Sequence, residues 1–405
     1  MNDGDTTSHD GAGDDIDDRA SDDAASRRRG PVEDTCEELE RVYANGSYPL
    51  LEVTRPWSTH NPVIAGEMAR PAAMRGYLER ELGALVMHGA TMRVTASRER
   101  LALDDPQLLV GADESGWNLK QKKLFLFSAE RMELSFERLA HYTGTDPAAF
   151  QRHVLLTNYD MHVEAFLERF PDAVRPRPGA QMPAVHAVAE RGDGVSLVNI
   201  GVGPSNAKTL TDHVAVLRPD LFLMIGHCGG LRNHQEIGDF VLARTFLRAD
   251  RVLDHALPTH VPVVSNHHVN TALYQALDSR GLRYRFGTVY TTADRNWELR
   301  LSSAAADLEA SRAVAVDMES ATVAANGFRY RIPHATLLCV SDKPLHGRPK
   351  LASEAKEFYE ESKRVHVDVA IDAIDWLRRH FGGEAIPNED IRSSDEPLIG
   401  GPPTP

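Results

Sequence analysis

The feature that most constrains the fold is a regular alternation of short apolar segments with amphipathic segments, between about residue 150 and residue 382. The apolar segments are HVLLTNY, VSLVNIGVG, LFLMIGHCGG, GDFVLART, FGTVYTTAD, AVAVDMES and HATLLCVSD. Their length and their aliphatic composition predict buried strands, and the segments between them predict helices. This alternation predicts an α/β fold with a mixed or largely parallel central sheet flanked by helices.

The two ends of the 405-residue chain differ in composition from this segment. Residues 1–34 begin with a stretch that holds nine aspartates and almost no apolar side chains. Such a stretch predicts a disordered acidic arm, because it buries too little surface to offset the entropy of ordering. Residues 383–405 are polar and rich in proline and glycine, and they predict a flexible tail. The main α/β domain is therefore expected to span residues 151–382.

Residues 35–150 predict a small α+β domain ahead of the main sheet. TCEELERVYAN predicts a short helix, and a second helix begins near Pro71, where AAMRGYLERELGALVMHG places its apolar residues along one face. A proline-rich connection through Pro49, Pro56 and Pro62 joins the two helices. TMRVTASR and LFLFS predict strands, with a polar turn at Asp113–Gly116 between them.

Composition and charge narrow the class of protein. The net charge is −14 and the chain has no basic stripe with interleaved aromatic residues, so the sequence does not support nucleic-acid binding. No apolar run approaches the about 18 residues of a membrane span, and the N-terminus lacks the features of a signal peptide. Cys36, Cys228 and Cys339 lie far apart without CxxC spacing, which favours the cytoplasm over a disulfide framework or a zinc site.

Two glycine-rich segments follow predicted strands, at the edge where open α/β sheets bind ligands. NIGVGPSNAKT opens a helix after Gly203, and the backbone amides near Ser205 and Asn206 favour an anion. IGHCGGLR allows a close approach at Gly229, and Arg232 offers a forked donor to phosphate or ribose oxygens. A tight turn without a ligand explains each segment alone about equally well. A Rossmann fingerprint is excluded, because Asn206 replaces its third glycine.

Three carboxylates also lie at strand ends. In VDMES, Asp317 and Glu319 face opposite ways around Met318, so that one acid binds sugar hydroxyls while the other caps the following helix. Asp342 ends another strand, in VSDKPLHG.

A further strand end, TTADRNWELR, offers hydrogen-bonding and aromatic groups that suit a flat heterocycle. The residues that we single out there are Thr292, Asn296 and Trp297. A tryptophan in such a segment is more often a core residue than a ligand contact.

These motifs together resemble the AMP nucleosidase family of the nucleoside phosphorylase/nucleosidase superfamily. The motifs are NIGVGPSNAKTLTDHVAVLRPDLFLMIGHCGGLR, VDMESATVAANG and CVSDKPLHG, and the resemblance covers roughly residues 150–382. It continues more weakly into RPAAMRGYLERELGAL and RLAHYTGTDPAAFQRHVLLTNYDMHV. The resemblance implies a nucleoside phosphorylase-like fold and the hydrolysis of AMP by water to adenine and ribose 5-phosphate. It implies neither a cofactor nor a metal.

The resemblance also implies roles for individual residues. Asp342 matches the aspartate that protonates or hydrogen-bonds purine N7, and Glu319 matches the glutamate that binds the ribose 2′ and 3′ hydroxyls. Met318 would then pack under the sugar. Cleavage of an N-glycosidic bond passes through an oxocarbenium-like sugar and needs an acid at the leaving group, which agrees with these roles. For Asp342 to be that acid near neutral pH, burial must raise its pKa, whereas the adjacent Lys343 opposes the rise.

The water-activating group and the phosphate site are less well determined. His162 lies near the position of the family's water-binding glutamate, beside Asn158 and Tyr159, and a structural role for it is equally expected. Groups that could hold phosphate are the amides of 203–206 and the side chains of Arg232, Lys343, His346 and Lys350.

Two other functions remain open on the same fold, a phosphate-dependent nucleoside phosphorylase and a nucleotide sensor without catalysis. Retention of both Glu319 and Asp342 argues against the sensor. The resemblance further implies a homohexamer with ATP as activator and phosphate as inhibitor, although the N-terminal domain is shorter here than in the family pattern.

Overall fold

The computed structural model describes residues 30–57, 62–100, 123–347 and 352–388. Its strands are β1 Ser47–Thr54, β2 Val63–Glu67, β3 Thr91–Arg100, β4 His153–Thr157, β5 Ala184–Ala187, β6 Val195–Asn199, β7 Leu221–Gly230, β8 Phe240–Arg248, β9 Tyr284–Thr291, β10 Ala315–Asp317 and β11 His334–Asp342. Its helices are α1 Pro31–Ala44, α2 Arg75–Met87, α3 Ala129–Thr143, α4 Asp160–Arg169, α5 Pro204–Val214, α6 His267–Ser279, α7 Leu301–Ser311, α8 Ser320–Arg329 and α9 Ala352–Phe381. Residues 1–29, the turn predicted at Asp113–Gly116, Lys350 and residues 389–405 lie outside the described residues.

The first sheet is antiparallel, with the strand order β2-β1-β3. Two of its strands occupy the segment that the sequence predicted to be a proline-rich connection, and that prediction is wrong. β1 accommodates Pro49 at a register shift in its pairing with β3, while Pro56 and Pro62 lie between β1 and β2. A proline at an irregular position of a ladder does not break the strand.

Two further sequence predictions in this region need correction. LFLFS is a 3-10 turn at Lys123–Phe125 followed by the start of α3, where the Ser128 side chain accepts a hydrogen bond from the Arg131 amide. The Phe125 ring packs directly over Gly66 of β2, so the apolar side chains cover the sheet without forming a strand of it. Helix α1 begins at Pro31, so residues 31–34 are helical and do not belong to a disordered arm.

The second sheet has eight strands in the order β10-β9-β8-β11-β7-β4-β6-β5. Most neighbours are parallel, while β8–β11 and β5–β6 are antiparallel, which confirms the predicted mixed sheet. β10 also pairs in antiparallel fashion with β7, which closes strands β7, β11, β8, β9 and β10 into a ring. This closure brings the ends of β7, β10 and β11 together.

Helices cover the second sheet with apolar side chains. Phe166 of α4, Leu273 of α6 and Ile374 of α9 pack in one cluster with strand residues such as Leu155 and Leu337. A separate cluster packs α5 and α8 against other residues of β4, β6 and β7. The strands are thereby buried, and their polar ends are left to build a site. In the part of the chain that the structure describes, no helix is both long enough and apolar enough to span a membrane.

Candidate active site

Glu319 joins three segments that are distant in the sequence. It lies between β10 and α8, and its side chain is almost completely buried. Its Oε1 accepts a hydrogen bond from the Gly203 amide at 2.6 Å, and its Oε2 accepts one from Asn158 Nδ2 at 3.1 Å. The glycine-rich turn after β6 and the end of β4 therefore both donate to one carboxylate.

The neighbouring carboxylate, Asp317, has a structural role at the start of α8. It accepts hydrogen bonds from the Ser320 amide at 2.9 Å and from Thr291 Oγ1 at 2.6 Å, and so it holds the start of α8. Glu319 is left with its carboxylate turned toward the strand ends. Burial, with a further contribution from the charge of Asp317, raises the pKa of Glu319 to about 8, against the hydrogen bonds from Gly203 and Asn158 that lower it.

Asp342 ends β11 on the other side of β7. The pairing of β11 with β7 shifts after Val340, so Ser341 is bulged and Asp342 lies opposite Gly229. A bulge of this kind changes the direction in which a side chain points. Ser341 Oγ donates a hydrogen bond to Asp342 Oδ1 at 2.6 Å, and the Asp342 side chain is largely buried.

Gly229 is the common neighbour of the two acidic segments. It pairs with Asp342 in β11 and with Val316 in β10. A Cβ atom at Gly229 would lie 2.9 Å from Val316 Cγ1 and 3.4 Å from two carbons of Pro344. The predicted close approach at this glycine is therefore present, and it is made by protein atoms.

The turn after β6 is shaped by its own residues. Gly203 has φ +108°, a conformation that favours glycine, and it precedes α5. Asn206 Nδ2 donates to the Val202 carbonyl at 3.3 Å, and the Ser205 side chain is exposed. Across the site, Arg232 is fixed through its amide, which donates to Gln235 Oε1 at 2.8 Å.

The residues predicted in TTADRNWELR lie close to β10 but differ in what they contact. The Thr292 amide donates to the Asp317 carbonyl at 3.0 Å, and the Asn296 amide donates to Asp294 Oδ1 at 3.0 Å. Trp297 is buried in an apolar cluster with Leu231, Tyr290, Ala304, Leu308, Ala313 and Val316. Trp297 therefore packs as a core residue, the alternative stated from the sequence.

His162 is not brought into the group around Glu319. It is fully buried on α4, its Nδ1 lies 2.7 Å from Thr157 Oγ1, and no described residue hydrogen-bonds its Nε2. Burial, with a smaller contribution from His366, holds the pKa of His162 well below its usual value. An imidazole in this state is a poor base for water at neutral pH, so the structure disfavours the predicted water activation.

The structure also locates four other residues that the sequence predicted for the site. Asn158 donates to Glu319, as described above, and the Tyr159 ring lies edge-on to His227 with centroids 4.8 Å apart. Met318 is half-buried between Asp317 and Glu319. Lys343 is buried, and its Nζ donates to the Asn233 carbonyl at 2.9 Å.

Asn199, at the end of β6, was missed by the sequence analysis. Its Oδ1 accepts from the Gly201 amide at 2.9 Å, and its Nδ2 donates to Asp160 Oδ1 at 2.6 Å. It thereby links the glycine-rich turn to the start of α4. The signal was present, since an asparagine at a strand end, here two residues before a glycine, typically accepts a hydrogen bond from the backbone two residues on.

Comparison with known proteins agrees with this geometry. The model of the phosphorylase superfamily matches residues 153–375. An AMP nucleosidase of Escherichia coli strain K12 is 40% identical over 432 aligned residues, which cover 86% of this chain and 88% of that protein. The crystal structure of AMP nucleosidase from Bacteroides thetaiotaomicron VPI-5482 is 29% identical with a TM-score of 0.53, and the match covers 62% of this chain and 99% of that one.

A Campylobacter jejuni 5′-methylthioadenosine/S-adenosyl homocysteine nucleosidase shares the fold at 18% identity. Its TM-score is 0.50, and the match covers 56% of this chain and all of that one (100%). The chain thus belongs to the phosphorylase superfamily. Within that superfamily it belongs to the AMP nucleosidase family, which confirms the resemblance seen in the sequence.

Proposed function

We propose that the protein hydrolyses the N-glycosidic bond of AMP and releases adenine and ribose 5-phosphate. The observation that carries this proposal is the buried Glu319 carboxylate, which is held by Gly203 and Asn158 and lies one strand away from Asp342. The identity of 40% with an AMP nucleosidase supports the same reaction. The two acids would supply the leaving-group acid and the carboxylate for the sugar, which are two of the groups that hydrolysis of a nucleotide N-glycosidic bond requires.

Glu319 would bind the ribose 2′ and 3′ hydroxyls. Each carboxylate oxygen already accepts one N–H group and keeps a further lone pair for a hydroxyl donor. The two fixed donors hold the carboxylate in one orientation before substrate binds. In its ionised form, which the raised pKa makes the major form only above about pH 8, Glu319 would stabilise the positive charge that develops on the sugar in the transition state. Met318, next to Glu319, would pack under the sugar ring.

Asp342 would donate a proton or a hydrogen bond to purine N7. Protonation turns the departing adenine into a neutral leaving group, which is the usual contribution of a general acid. The bulge at Ser341 and the hydrogen bond from Ser341 Oγ fix the direction of this carboxyl group. Asp342 and Glu319 thereby act at opposite ends of the bond that breaks.

The 5′-phosphate would be bound by groups of opposite charge at the same edge of the sheet. The turn at Gly203 opens α5 with backbone amides, and a helix start favours an anion. Ser205 and Asn206 lie in the first turn of α5, and Arg232 follows β7. Lys343 Nζ keeps two donors beyond its bond to Asn233.

The regulatory and cellular properties are also proposals. We propose a site for ATP or phosphate in a cleft of about 410 Å³ between the start of α2 and the second sheet. Five arginines line the cleft, Arg75, Arg80, Arg152, Arg191 and Arg218. Asp220 pairs with Arg80 and Arg152, so an anion would compete with an existing ion pair. A homohexameric assembly and a cytoplasmic location complete the proposal, and the three buried cysteine side chains agree with a reducing compartment.

The test incubates the purified full chain with AMP, with and without inorganic phosphate, and follows the sugar product by phosphorus NMR. Formation of ribose 5-phosphate without any added phosphate is expected. Strict dependence on phosphate, with adenosine preferred over AMP, would identify a phosphorylase. Tight binding of AMP without any product would identify a nucleotide sensor.

A further inference from the structure

Three histidines from three separate elements meet in the interior behind the active site. His162 comes from α4, His227 from β7 and His366 from α9. His162 and His366 are 0% exposed, and His227 is 7% exposed. Their ring centroids lie 4.9 to 5.5 Å apart, and one ring nitrogen from each lies within 4.8 Å of the other two. We call these residues the histidine cluster.

The hydrogen bonds around the cluster orient the rings. His366 Nε2 lies 3.0 Å from the Leu337 carbonyl, which can only accept, so the proton is on Nε2 and Nδ1 carries a lone pair. That Nδ1 is buried without a hydrogen-bond partner among the described residues. His162 Nδ1 lies 2.7 Å from Thr157 Oγ1, and its Nε2 lacks a partner among the described residues. With the proton on Nδ1 and donated to the hydroxyl oxygen, Nε2 would likewise carry a free lone pair.

Buried polar atoms without a partner are uncommon and need an explanation. Here two of them, His162 Nε2 and His366 Nδ1, belong to imidazoles of the same cluster. A neutral imidazole nitrogen with a free lone pair is the form that binds metal ions. The bond from His366 to the Leu337 carbonyl is the kind of outer contact that orients a metal-bound imidazole.

We propose that the histidine cluster binds one divalent transition-metal ion, Zn²⁺ or an ion of similar preference. Imidazole nitrogens bind Zn²⁺ at about 2.0–2.1 Å, which places two ligands of a tetrahedral ion roughly 3.3 Å apart. The three nitrogens lie within 4.8 Å of one another, so metal binding requires the side chains to close to that separation. A fourth position is open to water or to Ser362, whose Oγ lies 3.4 Å from His227 Nε2.

The location of the histidine cluster indicates that a bound ion would position residues of the active site. The Tyr159 ring lies edge-on to both His162 and His227, with centroids 5.7 and 4.8 Å away. Asn158, the preceding residue, donates to Glu319. An ion in the cluster would fix α4, β7 and α9 to one another and so hold the end of β4 beneath the ribose-binding carboxylate. The sequence shows no metal motif, because the three ligands lie far apart in the chain.

The test measures metal content and ligand geometry in the full chain. Protein expressed in zinc-supplemented medium is desalted and its metal measured by mass spectrometry, so that the ion can enter during folding. We expect about one Zn²⁺ per chain in the wild type and less than about a tenth of that in His366→Gln. The double variant His267→Gln/His268→Gln removes the adjacent histidine pair at the start of α6 and should keep the ion.

Cobalt substitution tests the same site without depending on the folding of a variant. Wild-type protein that binds Co²⁺ in the cluster should show the strong visible bands of a four- or five-coordinate ion. The weak spectrum of an octahedral ion would indicate surface binding and overturn the proposal. Equal metal content in the wild type and His366→Gln would also overturn it. Wild-type protein that retains no ion would overturn the proposal as well.

Discussion

The Gly203 amide donates a hydrogen bond of 2.6 Å to Glu319 Oε1, which joins two motifs separated by more than a hundred residues of sequence. The bond explains why a glycine with φ +108° stands at this position, since a residue with a side chain is strained there. The bond also links two parts of the proposed AMP site. One part is the turn after β6, whose amides would bind the phosphate, and the other is the carboxylate that would bind the ribose. One AMP molecule would then contact both ends of this link.

The first prediction concerns selectivity for the sugar. If Glu319 accepts the 2′ hydroxyl, the wild type should favour AMP over 2′-deoxy-AMP by about 10- to 100-fold in kcat/KM, the value of one hydrogen bond to a charged group. Glu319→Ala should lower kcat/KM for AMP and bring the ratio of the two substrates near one. Steady-state kinetics with both nucleotides measure this ratio. An unchanged ratio in Glu319→Ala would assign the hydroxyls to another residue.

The second prediction concerns stability and pH. Burial raises the pKa of Glu319 from its ordinary value of 4.5 to about 8, so the folded state binds a proton more tightly than the unfolded state. The stability from this group is fully present below about pH 4.5 and is lost as the pH rises through about 8. Relative to Glu319→Gln, the wild type should lose on the order of a few kcal/mol between pH 4.5 and pH 9.

Urea unfolding of both proteins at several pH values measures this difference. The comparison cancels the other titrating groups, because only the residue at position 319 differs. Parallel stability curves for the wild type and Glu319→Gln would show that the carboxylate has an ordinary pKa in the folded protein.

The third prediction separates the acid from the residue that orients it. Asp342→Asn removes the proton donor and should lower kcat for AMP by about 10²- to 10⁴-fold with the fold intact. Ser341→Ala removes the hydrogen bond of 2.6 Å to Asp342 and a longer one of 3.3 Å to the Cys228 carbonyl, and it should lower kcat by less than about tenfold. Circular dichroism checks the fold of both variants. Equal losses in the two variants would contradict a direct role for Asp342 in proton donation.

All strands of the second sheet except the short β5 could be predicted from the sequence, because each of them is an apolar run that ends in glycine or a polar residue. β1 and β2 could not, since Pro49 and the prolines beside these strands are also the signal of a loop. LFLFS was mistaken for a strand because apolar side chains that cover a sheet from outside have the same composition as those within it. These errors arise where the neighbours of a segment decide its structure.

The candidate active site could also be predicted only in part. Glu319 and Asp342 stood out as carboxylates at strand ends, and the family resemblance gave them roles. The burial of His162 among two other histidines was not visible, because the partners come from β7 and α9 and are far away in sequence. Trp297 likewise could not be assigned from the sequence, because an aromatic residue there suits contact with a purine base and packing in the hydrophobic core equally well. Its neighbours in the structure show that it packs in the core.

The fourth prediction follows from the burial of His162. His162→Gln should lower the melting temperature, because it disturbs the contact with Thr157 and leaves buried polar atoms unpaired at a cost of about 1–3 kcal/mol. It should reduce kcat by less than about tenfold and leave the shape of the pH–rate profile unchanged. Thermal unfolding and kinetics across pH measure both effects. A large fall in kcat with loss of a limb of the profile would restore water activation to this residue.

The last prediction compares two glycines of β7. A methyl group at Gly229 would lie 2.9 Å from Val316 Cγ1, so Gly229→Ala must push β10 away, and overpacking of this kind costs about 1–3 kcal/mol. At Gly226 the nearest atom to an added methyl group, Met224 Cε, is 3.4 Å away, which is ordinary contact. Gly226→Ala is therefore the matched control, and its stability should stay near that of the wild type.

The same pair of variants also tests the site. Because Gly229 pairs with both Val316 and Asp342, Gly229→Ala should displace the segments that carry Glu319 and Asp342 relative to each other. A misplacement of about 1 Å at a catalytic pair can cost on the order of 10²-fold in rate. We expect kcat/KM for AMP to fall far more in Gly229→Ala than in Gly226→Ala when both are assayed below their melting temperatures. Equal activities would mean that the two acids do not depend on the closure of β10 onto β7.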